Sequence, residues 1–290
     1  MPTALITGAS TGIGQATALR LAGSGWTVLA GVRNDEAGER LAGEAPAGRI
    51  VPLILDVTDF EQIRQAAGRV SELAGGGESP GGAGASPGRL DALVNNAGIG
   101  YGGPLELIHP DDLRKQFDVN VLGQIAVMQA LLPALRAARG RIVFLSSVGG
   151  RVAMAFTAPY AASKHAIEAI GDALRVELAT SDVQVALIEP GSVATPIWDK
   201  ARQSGEQIRV PAELRKQYGH VPQAMDKVLH DTAKRGVPAE QVAQTIERAL
   251  TARRMKARYV VGRDARAMIV ARRLLPDHVF DRFARRALGV

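Results

Sequence analysis

The sequence predicts an α/β protein built on a doubly wound parallel sheet with helices on both faces. Two observations predict it. Short apolar runs alternate with amphipathic helical patterns from the third residue onward, the mark of βαβ units joined by right-handed crossovers. A glycine-rich turn, Thr7-Gly8-Ala9-Ser10-Thr11-Gly12-Ile13-Gly14, directly follows the first run and opens the first helix.

The elements follow in order. Residues 3–7 (TALIT) read as a strand and 12–24 as a helix. Val28 to Gly31 is a strand and 35–44 a helix. Residues 50–55 (IVPLIL) form a strand and 59–74 a helix. Residues 90–94 (LDALV) form a strand, followed by a long helix at about 110–138. Arg141 to Leu145 is a strand, 159–179 a helix, Val183 to Ile188 a strand, 239–252 a helix and 258–261 a short strand. Two segments interrupt the alternation. Residues 75–88 (GGGESPGGAGASPG) read as a Gly/Pro/Ser-rich surface loop inserted before a strand. Residues 197–237 are too long for a plain connection and read as a lid. No internal repeat is visible.

The 290 residues, 46% hydrophobic, suffice for one large core. There are no cysteines, so disulfides, thiolate chemistry and Cys-ligated metals are excluded. His109, His165, His220, His230 and His278 show no metal-ligand spacing, and no metal is expected. The N-terminus lacks a signal pattern. The apolar stretch Val119 to Leu135 is broken by Asn120, Gly123, Gln124, Gln129 and Pro133, which leaves it short of a convincing span. A cytoplasmic protein is expected. Residues 252–290 carry eleven Arg/Lys against three Asp, a net of +8, while the rest of the chain is at −2. The basic balance belongs to the tail and is no nucleic-acid signal. The expected organisation is 1–262 as one domain that includes the lid, and 263–290 as a C-terminal extension.

The glycine-rich turn lets the backbone approach a pyrophosphate, which then meets the free N–H groups and positive dipole end of a helix. The bland alternative is a tight packing turn. The spacing is G-x-x-x-G-x-G, not G-x-G-x-x-G. Further landmarks follow. Asn95-Asn96-Ala97-Gly98 ends the fourth strand and Asn120 lies in the long helix. Ser147 precedes Tyr160 by thirteen residues, Tyr160-x-x-x-Lys164 opens the next helix, and Pro190-Gly191 closes the sixth strand ahead of Val193 and Thr195. Over residues 3–262 this succession resembles the classical short-chain dehydrogenase/reductase family, nearest in pattern to its steroid/retinol-dehydrogenase-like branch. The resemblance implies a Rossmann-type fold and a nicotinamide cofactor held by Gly8, Ser10, Thr11, Gly12, Ile13 and Gly14, with Asn96, Ala97 and Gly98 beside them. It further implies that Asp56 and Val57 meet the adenine, and that Pro190, Gly191, Val193 and Thr195 meet the nicotinamide end. Asp56 reads equally as a turn residue, with Asp59 the better helix N-cap.

An acidic residue at the end of the second strand selects NAD, and an arginine there accommodates the 2′-phosphate of NADP. Here Val32 stands at the acidic position and Arg33 follows. A guanidinium suits bidentate phosphate contact, so NADP(H) is expected over NAD(H). Arg33 as a solvated charge is the alternative, and Asp35 is close by.

Tyr160 and Lys164 are i and i+4, on one helix face. An ammonium beside the phenol favours the phenolate, so Tyr160 can give a proton to a carbonyl oxygen or take one from an alcohol. By resemblance Lys164 also holds the nicotinamide ribose, Ser147 polarises the substrate oxygen and Asn120 steadies a proton-relay water. Singly, each has a plainer reading: a solvated Tyr/Lys face, a strand-end serine turn, a satisfied buried asparagine. Asp111-Asp112 reads as a helix start, and Glu168 and Asp172 as solvated helix charges.

Ile197, Trp198, Ile208, Val210, Leu214, Tyr218, Val221, Met225, Val228 and Leu229 make the lid region apolar. A bulky lipophilic alcohol or carbonyl substrate is expected, unless these residues only pack the lid on the body. The tail reads as two amphipathic helices split by Pro276. It packs on the body or a partner in preference to a membrane surface. By resemblance the helices at 110–138 and 159–179 form a homodimer or homotetramer interface. Two rival functions stay open: an NADP(H)-binding sensor on the same scaffold, and a sugar-nucleotide epimerase or dehydratase of the related extended family. The first is opposed by the intact Tyr160, Lys164, Ser147 and Asn120 set, the second by the glycine spacing.

Overall fold

A computed structural model describes residues 1–73, 88–195, 210–227 and 236–288. Seven strands form one parallel sheet in the order β3-β2-β1-β4-β5-β6-β9. They are β1 (Thr3–Ile6), β2 (Thr27–Val32), β3 (Ile50–Ile54), β4 (Ala92–Asn95), β5 (Arg141–Leu145), β6 (Gln184–Pro190) and β9 (Arg258–Val261). A separate two-residue pair joins β7 (Val193–Ala194) to β8 (Val237–Pro238). The strand order reverses between β1 and β4. In open α/β sheets a ligand crevice lies outside the carboxyl ends of the strands at such a switch point.

Both faces of the sheet are covered, which is why its strands read as continuous apolar runs and not as alternating ones. Ala4, Ile6, Val28, Ala30, Val94 and Val143 pack on one face with Leu21 of α1 (Gly12–Gly23) and with Val242, Ile246 and Leu250 of α7 (Ala239–Thr251). Leu5, Leu29, Leu93, Ile142, Phe144 and Leu187 pack on the other. There they meet Val127, Leu131 and Leu135 of α5 (Gly123–Ala138) and Ile167 of α6 (Ala158–Glu177). Arg20 of α1 bonds Glu240 and Glu247 of α7, tying the first crossover helix to the last.

The expected elements are present, with boundaries shifted by no more than two residues. Asn34 does not extend β2; its side chain accepts from Ala37 N and caps α2 (Asp35–Gly43). Asp59 accepts from Glu61 N and Gln62 N at the start of α3 (Phe60–Leu73), the capping role expected of it.

The long helix at 110–138 is not continuous. It runs as α4 (Pro110–Phe117), a π-helical turn over Asp118–Leu122, and α5. The extra residue of a π turn re-aims a side chain, and here it aims Asn120. By length and composition Pro110–Ala138 would be enough to cross a membrane. In the fold it is a core element, with Val127, Met128, Leu131 and Leu135 buried on the sheet.

The tail forms α8 (Arg263–Leu274) and α9 (Asp277–Leu288), broken at Pro276 as expected. Ala265 is fully buried where α8 packs on β9, and Phe280 of α9 is buried beneath Arg272 of α8. Most of the 197–237 segment and nearly all of the 75–88 loop, including Ile197, Trp198, Ile208, Val228 and Leu229, lie outside the described residues.

Candidate active site

The cradle begins where β1 gives way to α1. Gly8 and Gly12 have φ of 65° and 59°, the left-handed region that glycine adopts without strain. A Cβ on Gly8 would stand 3.0 Å from Ala97 Cα, so β1 and β4 approach backbone to backbone. No side chain caps α1, and its first turn holds no acidic residue. Its N–H groups and dipole end therefore face a space suited to an anion. Gly14 serves differently from the other glycines. It does not line the cleft; a Cβ there would collide with the Gly8 carbonyl oxygen and come 2.6 Å from Asn96 Nδ2.

Polar side chains hold this crevice open. Asn96 Nδ2 donates to the carbonyl oxygens of Thr7 (2.9 Å) and Gly8 (3.0 Å), fixing the glycine-rich turn. Thr7 Oγ1 accepts from Asn96 N and Ala97 N, both at 3.0 Å. Gln124 donates to Ala97 O at 2.7 Å, and Gln116 bridges Ile99 O and Tyr101 N. Asn120 accepts from Ile99 N at 2.8 Å and donates to Ile99 O and to Ser163 Oγ. Thr7, Gln116 and Gln124 were missed in the sequence because their partners are backbone groups on other elements. Asn120 is fully buried and is not in the cleft wall.

The resulting cleft, about 390 Å³, runs across the switch point. It brings together Gly8, Ser10, Thr11, Gly12, Ile13, Arg33, Asp56, Val57, Asn96, Ala97, Gly98, Ser147, Tyr160, Lys164, Pro190, Gly191, Val193 and Thr195. Of the residues singled out in the sequence only Gly14 and Asn120 stand behind the wall. Val32, Leu55, Thr58, Ile99, Lys115, Asp118, Val119, Leu145 and Ser146 line it as well.

At one end Arg33 and Lys115 face Asp56. Burial alone would raise the Asp56 carboxyl, but bonds from Thr58 N and Oγ1 and the charges of Arg33 and Lys115 hold it below its ordinary value. Asp35 opens α2 and is not in the cleft.

At the other end stand Ser147, Tyr160 and Lys164. Ser147 lies in extended backbone after β5, and its Oγ accepts from Gly149 N at 3.1 Å. Tyr160 sits in the first turn of α6. Burial raises its phenol, and a hydrogen bond with Ser147 works against the rise. Lys164 Nζ donates to Leu145 O at 2.6 Å and lies 5.7 Å from the Tyr160 ring centroid. Burial lowers Lys164 to about 8, opposed by the charge of Glu168.

Glu168 is not the solvated charge expected, whereas Asp172 stays half-exposed. Glu168 is buried, and Arg258 of β9 bonds both carboxylates, at 2.9 and 2.6 Å. Arg258 lies 90 residues from Glu168 in sequence, so helical spacing gave no sign of it.

Outside the cleft lining, Gly102 packs closely against the 210–227 stretch: a Cβ there would be 2.7 Å from Met225 Cε and 3.1 Å from Phe156 O. Val221 of the described 210–227 stretch is buried. The loop after β6 is held from the tail: Asp264 of α8 accepts from Ser192 N at 2.8 Å, and its carboxylate fills the space beside Gly191. Among the described residues no group of three or more His, Asp or Glu is placed to hold a metal ion.

Comparison with known proteins agrees with this geometry. The family model described as short chain dehydrogenase matches residues 2–206. The chain is 34% identical over 284 residues to an NADPH-dependent 3-dehydrocapnine reductase of Ornithobacterium rhinotracheale, covering 96% of this chain and 94% of that one. It is 37% identical over 283 residues to retinol dehydrogenase 16 of Mus musculus, covering 95% and 85%. A solved short chain dehydrogenase from Burkholderia cenocepacia, in complex with NADP, superposes with a TM-score of 0.71 at 25% identity and covers 97% of this chain and 96% of its own. A glycine turn on the switch point, a Ser/Tyr/Lys group at the other end of one cleft, and these matches lead to one conclusion: the chain belongs to the short-chain dehydrogenase/reductase family of oxidoreductases, which act on alcohol and carbonyl groups.

Proposed function

We propose that this protein is an NADP(H)-dependent oxidoreductase that interconverts a carbonyl and an alcohol on a bulky lipophilic substrate, with Tyr160 as the acid/base. One observation carries the reading. A single cleft joins the phosphate-binding turn and Arg33 at one end to Ser147, Tyr160 and Lys164 at the other.

The residues present fit a dinucleotide. The uncapped start of α1 takes the pyrophosphate, and Arg33, with Lys115 beside it, takes the 2′-phosphate. Lys164 holds the nicotinamide ribose. When bound, the nicotinamide supplies or accepts the hydride. The chain does the rest. Ser147 Oγ orients the substrate oxygen, and Tyr160 transfers the proton at that oxygen. The charge of Lys164 lowers the cost of the phenolate. Asn120, anchored to Ile99 and Ser163, stands behind Lys164 and fixes the wall that faces it.

The NADPH-dependent reductase relative and the NADP-bound solved relative support the cofactor choice, together with the absence of a carboxylate from the end of β2. The retinol dehydrogenase relative supports a lipophilic substrate. Leu122 and Val176, both exposed on the 110–138 and 158–177 helices, support a homodimer or homotetramer through those helices.

The test is NADPH oxidation over a panel of lipophilic ketones and aldehydes, with Tyr160→Phe as the variant. The expected outcome is turnover in the parent protein and its loss in the variant, with NADPH binding retained. Near-normal rates in Tyr160→Phe would remove Tyr160 from the mechanism. NADPH binding without turnover of any carbonyl would favour a sensor.

A further inference from the structure

The helix face that carries Tyr160 and Lys164 continues one turn on to Glu168, so residues 160, 164 and 168 form one column along α6. Glu168 is only 6% exposed. From β9, Arg258 Nε donates to Glu168 Oε2 at 2.9 Å and lies 3.1 Å from Glu189 Oε1 of β6. Arg258 Nη2 donates to Asp172 of α6 at 2.6 Å. Arg151, after β5, reaches Glu189 Oε1 at 3.2 Å. The cluster is closely fitted: a Cβ on Gly150 would stand 2.6 Å from Ser146 Oγ and 3.0 Å from Glu168 Cγ.

Glu168, Glu189 and Asp172 offer three negative charges, met by Arg151, Arg258 and, at the outer end beside Asp172, Arg175. Lys164, one turn from Glu168, is the cation on the cleft side. Among the described residues Glu168 Oε1 is buried without a hydrogen-bond partner, so the carboxylate is not fully engaged by Arg258. A buried carboxylate left half-satisfied is costly, and a cation one turn away offsets that cost.

We propose that Glu168 is a positioning residue for the reaction: its buried carboxylate, held from the far side by Arg258, is the counter-charge that keeps the Lys164 ammonium charged beside Tyr160. This rests on the reading of Tyr160 and Lys164 as the acid/base pair. The physical reason is the depth of the site. Burial drives Lys164 toward its neutral form, and Glu168 acts in the opposite direction. The other groups that face Glu168 are accounted for. Burial and Glu168 itself raise Glu189, against the pull of Arg151 and Arg258, so Glu189 is the less dependable anion. Asp172 is held low first by its bond from Arg258 and also by Arg175, and lies a turn further out, half-exposed.

The chain has only seven lysines, so side-chain ¹³C-labelled lysine gives few NMR signals, and a Lys164→Met variant assigns the one in question. In the full-length protein the Lys164 signal should titrate near pH 8. Glu168→Gln keeps the shape and an oxygen for Arg258, and should lower that midpoint by roughly one pH unit. Glu168→Asp should stay near the parent. Asp172→Asn removes a carboxylate from the same arginine and should leave the midpoint in place. An unmoved midpoint in Glu168→Gln overturns the proposal. So does an equal fall in Asp172→Asn, because Glu168 would then be one charge among several around Arg258. If Glu168→Gln fails to fold, the parent titration decides alone: a midpoint at about pH 7 or below, the value expected without the counter-charge, overturns the proposal. None of these measurements needs a substrate. Failure of Tyr160→Phe to stop turnover would strike the catalytic reading separately.

Discussion

Lys164 Nζ donates to the carbonyl oxygen of Leu145 at 2.6 Å, a bond that ties α6 to the end of β5 inside the cleft wall. The ammonium is held by backbone from one strand and lies 5.7 Å from the Tyr160 ring centroid. Its protonation therefore governs the acid/base pair, and the pH dependence of the reaction follows from it.

Carbonyl reduction requires Tyr160 protonated and Lys164 charged. Burial raises Tyr160 and lowers Lys164 to about 8, so Lys164 loses its proton first as pH rises. At saturating NADPH, kcat/KM for reduction should be level below that value and fall about tenfold per pH unit above it. Initial rates across roughly pH 6 to 10 check this. A level profile through the alkaline range would take Lys164 out of the limiting ionisation.

Arg33 is in the cleft and Asp35 is not. Arg33→Ala should weaken NADPH binding by about ten- to hundredfold, the loss of one charge-assisted bond or bidentate pair. NADH binding should change little. Fluorescence titration of both cofactors measures it, and an unchanged preference for NADPH would remove Arg33 from the choice.

Gly14 has no place for a side chain, because a Cβ meets the Gly8 carbonyl oxygen and Asn96 Nδ2. Gly14→Ala should destabilise the turn by about 1–3 kcal/mol. It should lower Tm by several degrees and weaken NADPH binding although Gly14 does not line the cleft. Thermal unfolding with and without NADPH separates the two effects. Wild-type values for both would show that the turn relaxes freely.

Asp264 holds Ser192 N at 2.8 Å and thereby the loop that carries Val193 and Thr195 into the cleft. The bond is exposed, so Asp264→Ala should cost about 1 kcal/mol or less in stability. The expected signature is a severalfold rise in the KM for NADPH with Tm nearly unchanged. A large drop in Tm with an unchanged KM would make Asp264 a structural anchor only.

Much of the fold could be read because its signals are local. Buried parallel strands must be apolar on both faces, and Leu5 and Ile6 belong to opposite faces of one sheet. The glycines of the first turn and the Tyr160–Lys164 spacing are likewise local, which is why most of the predicted cleft residues do line it. The break at Asp118–Leu122 was not readable. A π turn keeps helical composition, and what selects it is the bonding of Asn120 to Ile99 and Ser163 across the fold.

Glu168 marks the same boundary. The sequence reads it as a solvated helix charge, yet it lies inside the protein. An acidic residue is buried only when a cation meets it, and that cation, Arg258, comes from the last strand of the sheet. The sequence by itself determined the α/β class, the strand-to-helix turn and the residue types able to carry hydride-linked acid/base chemistry, because these depend on spacing and backbone freedom within a few residues. The tertiary structure alone decided which charges are buried and paired and which glycine supports the turn without facing the cleft. It also decided that Lys115 faces the cleft alongside Arg33, since pairing, burial and electrostatic balance depend on groups brought together from distant parts of the chain.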